Sequence, residues 1–161
     1  MLPLETLIQQ LINGLSLGSV YALIAVGYSL VYSVLLFSNF AHGGFLVIGG
    51  YICYFALRAG GMNIWLASLA ALVGSGLSAI IVERLAYRPI RERTPVTLYM
   101  LIASMGMSIV IENIFVVTVG GRFRALPPVI PTNPVNFFGL ATTSAFDILS
   151  LVTAVVFLVG L

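Results

Sequence analysis

The stretch from Thr6 to Leu57, TLIQQLINGLSLGSVYALIAVGYSLVYSVLLFSNFAHGGFLVIGGYICYFAL, contains no aspartate, glutamate, lysine or arginine. Its 52 residues are too many for one helical crossing of a bilayer, because about 20 helical residues span the hydrocarbon core. The run must therefore be broken, and the segment SNFAHGG (38–44) brings polar residues and glycines together. A break near Asn39–Gly44 predicts a first span over about 12–36 and a second over about 44–58.

The composition of the whole chain agrees with a membrane protein. Hydrophobic residues make up 60% of it, charged residues only 7%, and a soluble domain carries roughly 25% charged residues. All seven basic residues are arginines, and they do not form the dense basic stripe that binding to nucleic acid requires. The composition therefore excludes a soluble fold and gives no indication of a nucleic-acid partner.

Further apolar stretches predict spans over about 64–82, 96–119 and 146–161. The connection over 120–145 contains Pro127, Pro128, Pro131 and Pro134, which exclude a regular helix or a central strand there. The predicted fold class is all-α: a polytopic transmembrane helix bundle with about four complete spans, a truncated fifth, and a broken or re-entrant segment near Asn39–Gly44. No soluble domain is predicted.

The orientation follows from the basic residues between the third and fourth spans, Arg84, Arg88, Arg91 and Arg93. Loops rich in arginine stay in the cytoplasm, so the 59–63 turn and the 120–145 connection are expected outside. The N-terminus is outside if the break is a true turn and inside if the break is re-entrant. No cleavable signal peptide is expected, because Glu5 and no arginine precede the first apolar stretch.

The fourth span contains one polar face. An ionisable group inside the bilayer is costly and normally faces protein or water. Glu112 has two interpretations: a carboxylate near the outer interface, solvated or paired with Arg122 or Arg124, or a group that lines a pathway. The face consists of Thr97, Ser104, Ser108 and Glu112, at steps of 7, 4 and 4 residues.

For other polar and small residues, a structural role is favoured over a functional one. Ser68, Ala71, Ser75 and Ser78 share one face of the third span, which predicts a helix-packing seam. His42 lacks a nearby second histidine, cysteine or carboxylate, so a hydrogen-bonding role at the helix break is favoured over metal binding.

Catalytic signatures are missing from the sequence. It contains no phosphate-binding glycine loop with Lys-Ser/Thr, no His-Glu-x-x-His and no Gly-x-Ser-x-Gly. We therefore expect neither an enzyme nor a bound cofactor or metal, and any ATP hydrolysis would take place in other subunits.

Several segments closely resemble branched-chain amino-acid ABC transporter permeases, and the resemblance covers nearly the whole chain. They are GSVYALIAVGYSLVY (18–32), NFAHG (39–43), GGY (49–51), ERLAYRPIR (83–91), IASMGMSI (102–109) and ALPP (125–128). The resemblance implies that residues 1–161 form the N-terminal part of a single permease domain in the bacterial inner membrane.

The same resemblance implies the partners. They are a second permease subunit, two cytoplasmic ATPase subunits and a periplasmic binding protein that delivers a branched-chain amino acid, urea or a short amide. Arg84, Arg88, Arg91 and Arg93 are the candidate contacts with a cytoplasmic partner. The candidates for the translocation path or the helix break are Asn39, His42, Gly43, Ser104, Ser108, Glu112 and Asn113.

The sequence departs from the family in two respects. Glu112-Asn113 stands where the family usually has Gln-Asn, and family members are about twice as long, so the chain is expected to be a fragment or a natural truncation. Two alternatives to the importer subunit stay open: an ion-coupled secondary carrier or channel that uses Glu112, and a non-transporting remnant.

Overall fold

The computed structural model of the chain describes residues 4–94, 96–122, 124–126, 135–137 and 141–160. A π-helical turn, Glu83–Tyr87, joins α3 to α4, and the strands β1 (Val135–Phe137) and β2 (Ala141–Thr143) form an antiparallel pair that was not predicted. The chain divides into two compact units, residues 1–31 with 128–161, and residues 32–127. The helices are α1 (Leu4–Leu35), α2 (His42–Arg58), α3 (Ile64–Val82), α4 (Arg88–Arg93), α5 (Thr97–Val119) and α6 (Ala145–Gly160).

In the described part of the chain, three helical segments are long and apolar enough to cross a membrane: Thr6–Leu35, Ile64–Arg93 and Thr97–Val119. Helix α2 has 17 residues and α6 has 16, both shorter than the roughly 20 residues of a full crossing. The all-helical prediction is therefore confirmed, and three long apolar helices are described where about four complete spans were predicted.

The predicted break in the charge-free run is confirmed, with different bounds. Helix α1 ends at Leu35, and Leu36 has a positive φ of 57°, a conformation that a continuing α-helix cannot contain. Helix α2 begins at His42, so Gly43 and Gly44 belong to its first turn and not to the break. The break (residues 36–41) is thus a six-residue loop between two helices.

The helix of the third predicted span, 64–82, does not end at Val82 but runs on into the basic segment that carries Arg84 to Arg93. The helix continues as the π-helical turn and α4 up to Arg93. Val82 and Tyr87 are both buried although they lie five residues apart, and a π turn brings residues at that spacing onto one face. Burying Tyr87 beside Val82 is therefore what the irregular turn achieves.

Helix α2 packs closely against α3 through glycines. A Cβ atom at Gly49 would lie 3.6 Å from the Cβ of Ser75 and 3.8 Å from the carbonyl oxygen of Ala71, and one at Gly74 would collide with Ile52. Small residues let membrane helices approach in this way. The small-residue face of α3 is the packing seam that the sequence predicted.

Two further helix ends have clear local causes. Helix α5 ends where Gly120 adopts a φ of +87°, and Arg124 donates a hydrogen bond to the carbonyl oxygen of Val119. Helix α6 follows Ser144, whose hydroxyl accepts from the Asp147 amide while the Asp147 carboxylate accepts from the Ser144 amide, at 3.2 Å each. The proline stretch 127–134 lies outside the described residues.

Candidate functional site at the helix break

A loop inside a membrane bundle must find hydrogen-bond partners for its peptide groups, because lipid offers none. The break interrupts the charge-free run between Thr6 and Leu57, so its amide and carbonyl groups cannot rely on helical bonding alone. These peptide groups find partners in the loop itself and in α5, and the π-helical turn adds a hydrogen bond to the side chain of Asn39.

Asn39 organises the break from within. Its side chain is 5% exposed, and its Oδ1 accepts from the Ala41 amide at 3.1 Å and from the Tyr87 hydroxyl at 2.8 Å. Its own carbonyl oxygen accepts from the His42 amide at 3.1 Å. One amide side chain therefore fixes the local turn and ties it to the π-helical turn, 48 residues away in sequence.

Ser104 ties the same loop to the middle of α5. Its side chain is fully buried, and its Oγ accepts from the Phe40 amide at 3.1 Å. The single hydroxyl proton has two acceptors within reach, the carbonyl oxygens of Ser38 at 3.3 Å and Leu101 at 2.8 Å. Two hydrogen bonds thus hold the break to its neighbours. The Tyr87 hydroxyl donates to Asn39 from the π-helical turn, and the Phe40 amide donates to Ser104 on α5.

An apolar cluster completes the ties. Phe37 in the break contacts the ring of Tyr87 edge to face, with centroids 5.8 Å apart and an interplanar angle of 89°. Val82 and Met100 belong to the same buried cluster. In the described part of the chain, every buried side-chain nitrogen or oxygen has a hydrogen-bond partner. The junction is therefore a packed and satisfied site.

His42 and Gly43, the other two predicted residues near the break, open α2. His42 is half-buried, and its backbone amide donates to the Asn39 carbonyl oxygen at 3.1 Å. Gly43 is exposed and has no atom within 4 Å of the position a Cβ would take. The face of α2 that carries Gly43 therefore has room for a side chain at this position.

The structure separates the polar face of α5 into two parts. Ser104 is buried against the break, whereas Ser108 donates to Glu112 Oε1 at 3.1 Å on the same helix. Asn113 donates to the Ile109 carbonyl oxygen at 2.7 Å, and both Glu112 and Asn113 are exposed. The described salt bridges do not include Glu112, so its interpretation as a partner of Arg122 or Arg124 is not supported.

The four arginines predicted as cytoplasmic contacts lie on the π-helical turn and α4. Arg88 pairs with Glu92 at 2.8 Å, and Arg91 pairs with Glu83 at 2.7 Å across the turn. Arg84 and Arg93 are exposed and form no salt bridge within the described residues. Two of the four positive charges are therefore neutralised within the segment.

Sequence reasoning missed two groups. Tyr87 was not singled out, because residues five apart do not share a face of an α-helix. Only the π-helical turn, which the sequence does not reveal, places Tyr87 beside Val82. The cluster of Tyr54 with Arg58 and Arg124 was also missed, since Arg124 lies 66 residues beyond Arg58 in the sequence and the three residues share no motif.

A model of a protein family described as "Branched-chain amino acid transport system / permease component" matches residues 10–161. The chain is 39% identical over 134 residues to the high-affinity branched-chain amino acid transport system permease protein BraD of Pseudomonas aeruginosa, which covers 78% of this chain and 43% of BraD. It is 42% identical over 128 residues to the corresponding protein LivH of Escherichia coli, which covers 74% of this chain and 41% of LivH.

LivH of Salmonella typhimurium is 41% identical over 128 residues, with the same coverage of 74% and 41%. The chain thus spans about two fifths of the length of the curated relatives that it matches. No solved structure matches the chain significantly.

Proposed function

The chain belongs to the family of branched-chain amino acid transport permease components, and from that premise we propose that it forms part of the translocation path of an ATP-driven importer. The proposed solute is a branched-chain amino acid, the class in the names of the curated relatives. Membership also makes the chain a multi-pass membrane component of a transporter and not a catalytic subunit. We place it in a bacterial inner membrane.

The observation that carries the proposal furthest is the break, which buried hydrogen bonds hold between α1 and α2. Non-helical backbone at membrane depth is tolerated where it is buried in protein or lines a water-filled cavity, and broken helices are typical of transporter substrate sites. We therefore propose that Asn39 and Ser104 set the shape of the path without needing to contact solute. The proposed domain is a single permease domain that includes residues 1–161.

The predicted site residues that are not fully buried lie on α2 and on α5, the two helices next to the break. We propose that Gly43, His42, Ser108, Glu112 and Asn113 line the path, because they are not fully buried and lie on the two helices that pack against each other near the break. Hydroxyl, amide and carboxylate groups on an apolar wall would orient a small polar solute through hydrogen bonds.

The proposed partners are a second permease subunit, two cytoplasmic ATPase subunits and a periplasmic solute-binding protein. Arg84 and Arg93, which have no salt-bridge partner among the described residues, are the proposed contacts with an acidic surface of the ATPase. Arg88 and Arg91 would stiffen the segment through their pairs with Glu92 and Glu83.

The function is tested by uptake into vesicles that contain the full-length permease together with its partners. Radiolabelled leucine, urea and acetamide should be compared with and without ATP. We expect leucine uptake that needs ATP and that persists when the proton and sodium gradients are dissipated. Uptake that survives ATP depletion but stops when the gradient collapses would contradict the importer and favour the secondary carrier.

Glu112 provides a second test of the coupling mechanism. We expect Glu112→Gln to retain leucine uptake within about threefold, because an amide still accepts the Ser108 hydrogen bond and an ATP-driven path needs no titrating group there. Initial rates should be measured between pH 6 and 8. If the variant lost uptake completely while its amount in the membrane stayed normal, Glu112 would be a coupling carboxylate.

A further inference from the structure

Three arginines from two segments of the chain line one cavity in the unit formed by residues 32–127. Arg58 is the last residue of α2, and Arg122 and Arg124 follow α5. The guanidinium carbons of Arg58 and Arg124 lie 5.8 and 5.7 Å from the ring centroid of the buried Tyr54. The three arginines share the lining of an open cavity of about 510 Å³ with Tyr54, Phe55 and Ala59.

The charge in this cavity is uncompensated within the described residues. Its lining contains no acidic side chain, and the described salt bridges lie at the π-helical turn and α4. Arg58 donates to the Tyr54 hydroxyl at 3.0 Å and Arg124 donates to the Val119 carbonyl oxygen at 2.9 Å. Each guanidinium has five N–H donors, so most of them are not used by these bonds.

A second cavity, of about 320 Å³, adjoins the first and is more apolar. The two share Tyr54, Arg122 and Arg124, and the second continues along α2 past Val47 and Tyr51. The combined space is basic at one end and apolar at the other. That shape suits a ligand with an anionic head and an apolar tail.

We infer that Arg58, Arg122 and Arg124 bind the phosphodiester group of an anionic phospholipid, whose first acyl carbons enter the adjoining cavity beside Tyr51. Arginine forms bidentate hydrogen bonds with phosphate oxygens, and its fixed charge suits a permanent anion. Arg122 and Arg124 follow α5, which is long and apolar enough to cross a membrane, and lipid headgroups and tyrosines are found at the ends of such helices. This assignment rests on membrane placement of α2 and α5 and not on the transported solute.

Two other occupants fit less well. A zwitterionic amino acid would bring an ammonium group to a lining without a carboxylate. The acidic surface of a soluble protein would satisfy the arginines but would leave the apolar cavity along α2 unfilled. The lipid accounts for both cavities at once.

The test is lipid retention by the purified full-length permease in detergent, measured by native mass spectrometry with phosphatidylglycerol or phosphatidylcholine added. We expect phosphatidylglycerol to be retained preferentially. One basic residue near an anionic membrane surface contributes about fivefold in affinity. Arg122→Gln should therefore weaken phosphatidylglycerol binding about fivefold, and the double variant Arg58→Gln/Arg122→Gln about 25-fold. Arg122→Lys, which keeps the charge, should restore part of the affinity.

The matched control is Arg93→Gln. Arg93 ends α4, whereas Arg58 precedes the start of α3, so the two lie at opposite ends of the α3–α4 segment and the control should leave lipid retention unchanged. Equal retention of both lipids, or retention indifferent to the arginine variants, would overturn the proposal. Displacement of the lipid by millimolar inorganic phosphate would reassign the site to a small soluble anion. Salt-sensitive binding of an acidic soluble protein that depends on Arg122, with lipid retention unaffected, would reassign it to a protein partner. None of these readouts depends on transport.

Discussion

Replacing Asn39 with alanine is expected to lower the free energy of unfolding by about 2–4 kcal/mol. The side chain accepts two hydrogen bonds in a nearly inaccessible site, from the Ala41 amide and the Tyr87 hydroxyl. Each buried donor left without a partner costs about 1–3 kcal/mol. The measurement is denaturant or thermal unfolding of the purified full-length protein in detergent, and leucine uptake should fall in parallel.

The control for this substitution is Asn113→Ala, which removes the same amide from an exposed site where it bonds only to a carbonyl oxygen on its own helix. That change should stay within about 0.5 kcal/mol of the unmodified protein.

A double-mutant cycle with Tyr87→Phe gives a sharper result. Asn39→Ala strands the tyrosine hydroxyl, and Tyr87→Phe removes that stranded hydroxyl. The combined variant should therefore be less destabilised than the sum of the two single variants, by about 1 kcal/mol. Strict additivity would mean that the 2.8 Å contact between the two side chains contributes nothing.

Gly44→Leu is expected to destabilise the protein by about 3 kcal/mol. A Cβ at this position would already lie 3.0 Å from Ile111 Cδ1 and 3.3 Å from Ile111 Cβ, so a larger side chain must push α2 away from α5. Overpacking of a well-packed interface costs typically about 1–3 kcal/mol. Because the separation of these helices also positions the break, we expect leucine uptake to be lost.

The neighbouring glycine serves as the control for Gly44→Leu. Gly43→Leu places the same side chain one residue earlier, where nothing lies within 4 Å, and should be neutral or slightly stabilising since leucine favours helix over glycine. Adding Ile111→Ala to Gly44→Leu should recover part of the lost stability. Equal effects at the two glycines would show that α2 and α5 do not approach closely at Gly44.

The break could be predicted from sequence because it follows from a length argument. A charge-free run of 52 residues exceeds one crossing, and residues 38–44 bring polar residues and glycines together at a point that leaves a span on either side. The extra helical turns over 83–93 could not be read in this way. Four arginines in this stretch indicated a connection between two spans, whereas the ion pairs Arg88–Glu92 and Arg91–Glu83 support a helix.

The site was only partly predictable for a similar reason. Asn39, His42 and Ser104 were identified as polar residues in apolar surroundings, a signal that each position carries by itself. Their partners depend on contacts far apart in sequence, such as the 48 residues between Asn39 and Tyr87. The arginine cluster around Tyr54 depends on contact between the end of α2 and the segment that follows α5, and the periodicity of one helix does not predict that contact.

The π-helical turn absorbs one surplus residue, so the helix on either side of it keeps its angular phase. Deleting one residue between Glu83 and Ala86 should therefore restore an ordinary α-helical turn and leave Arg88 and Arg91 on the face that they now occupy. A deletion within α3, which has no surplus residue, would instead rotate the basic segment by about 100° about the helix axis. The π-helical turn is thus the place in this helix where a change in residue count is least disruptive to the surface that follows.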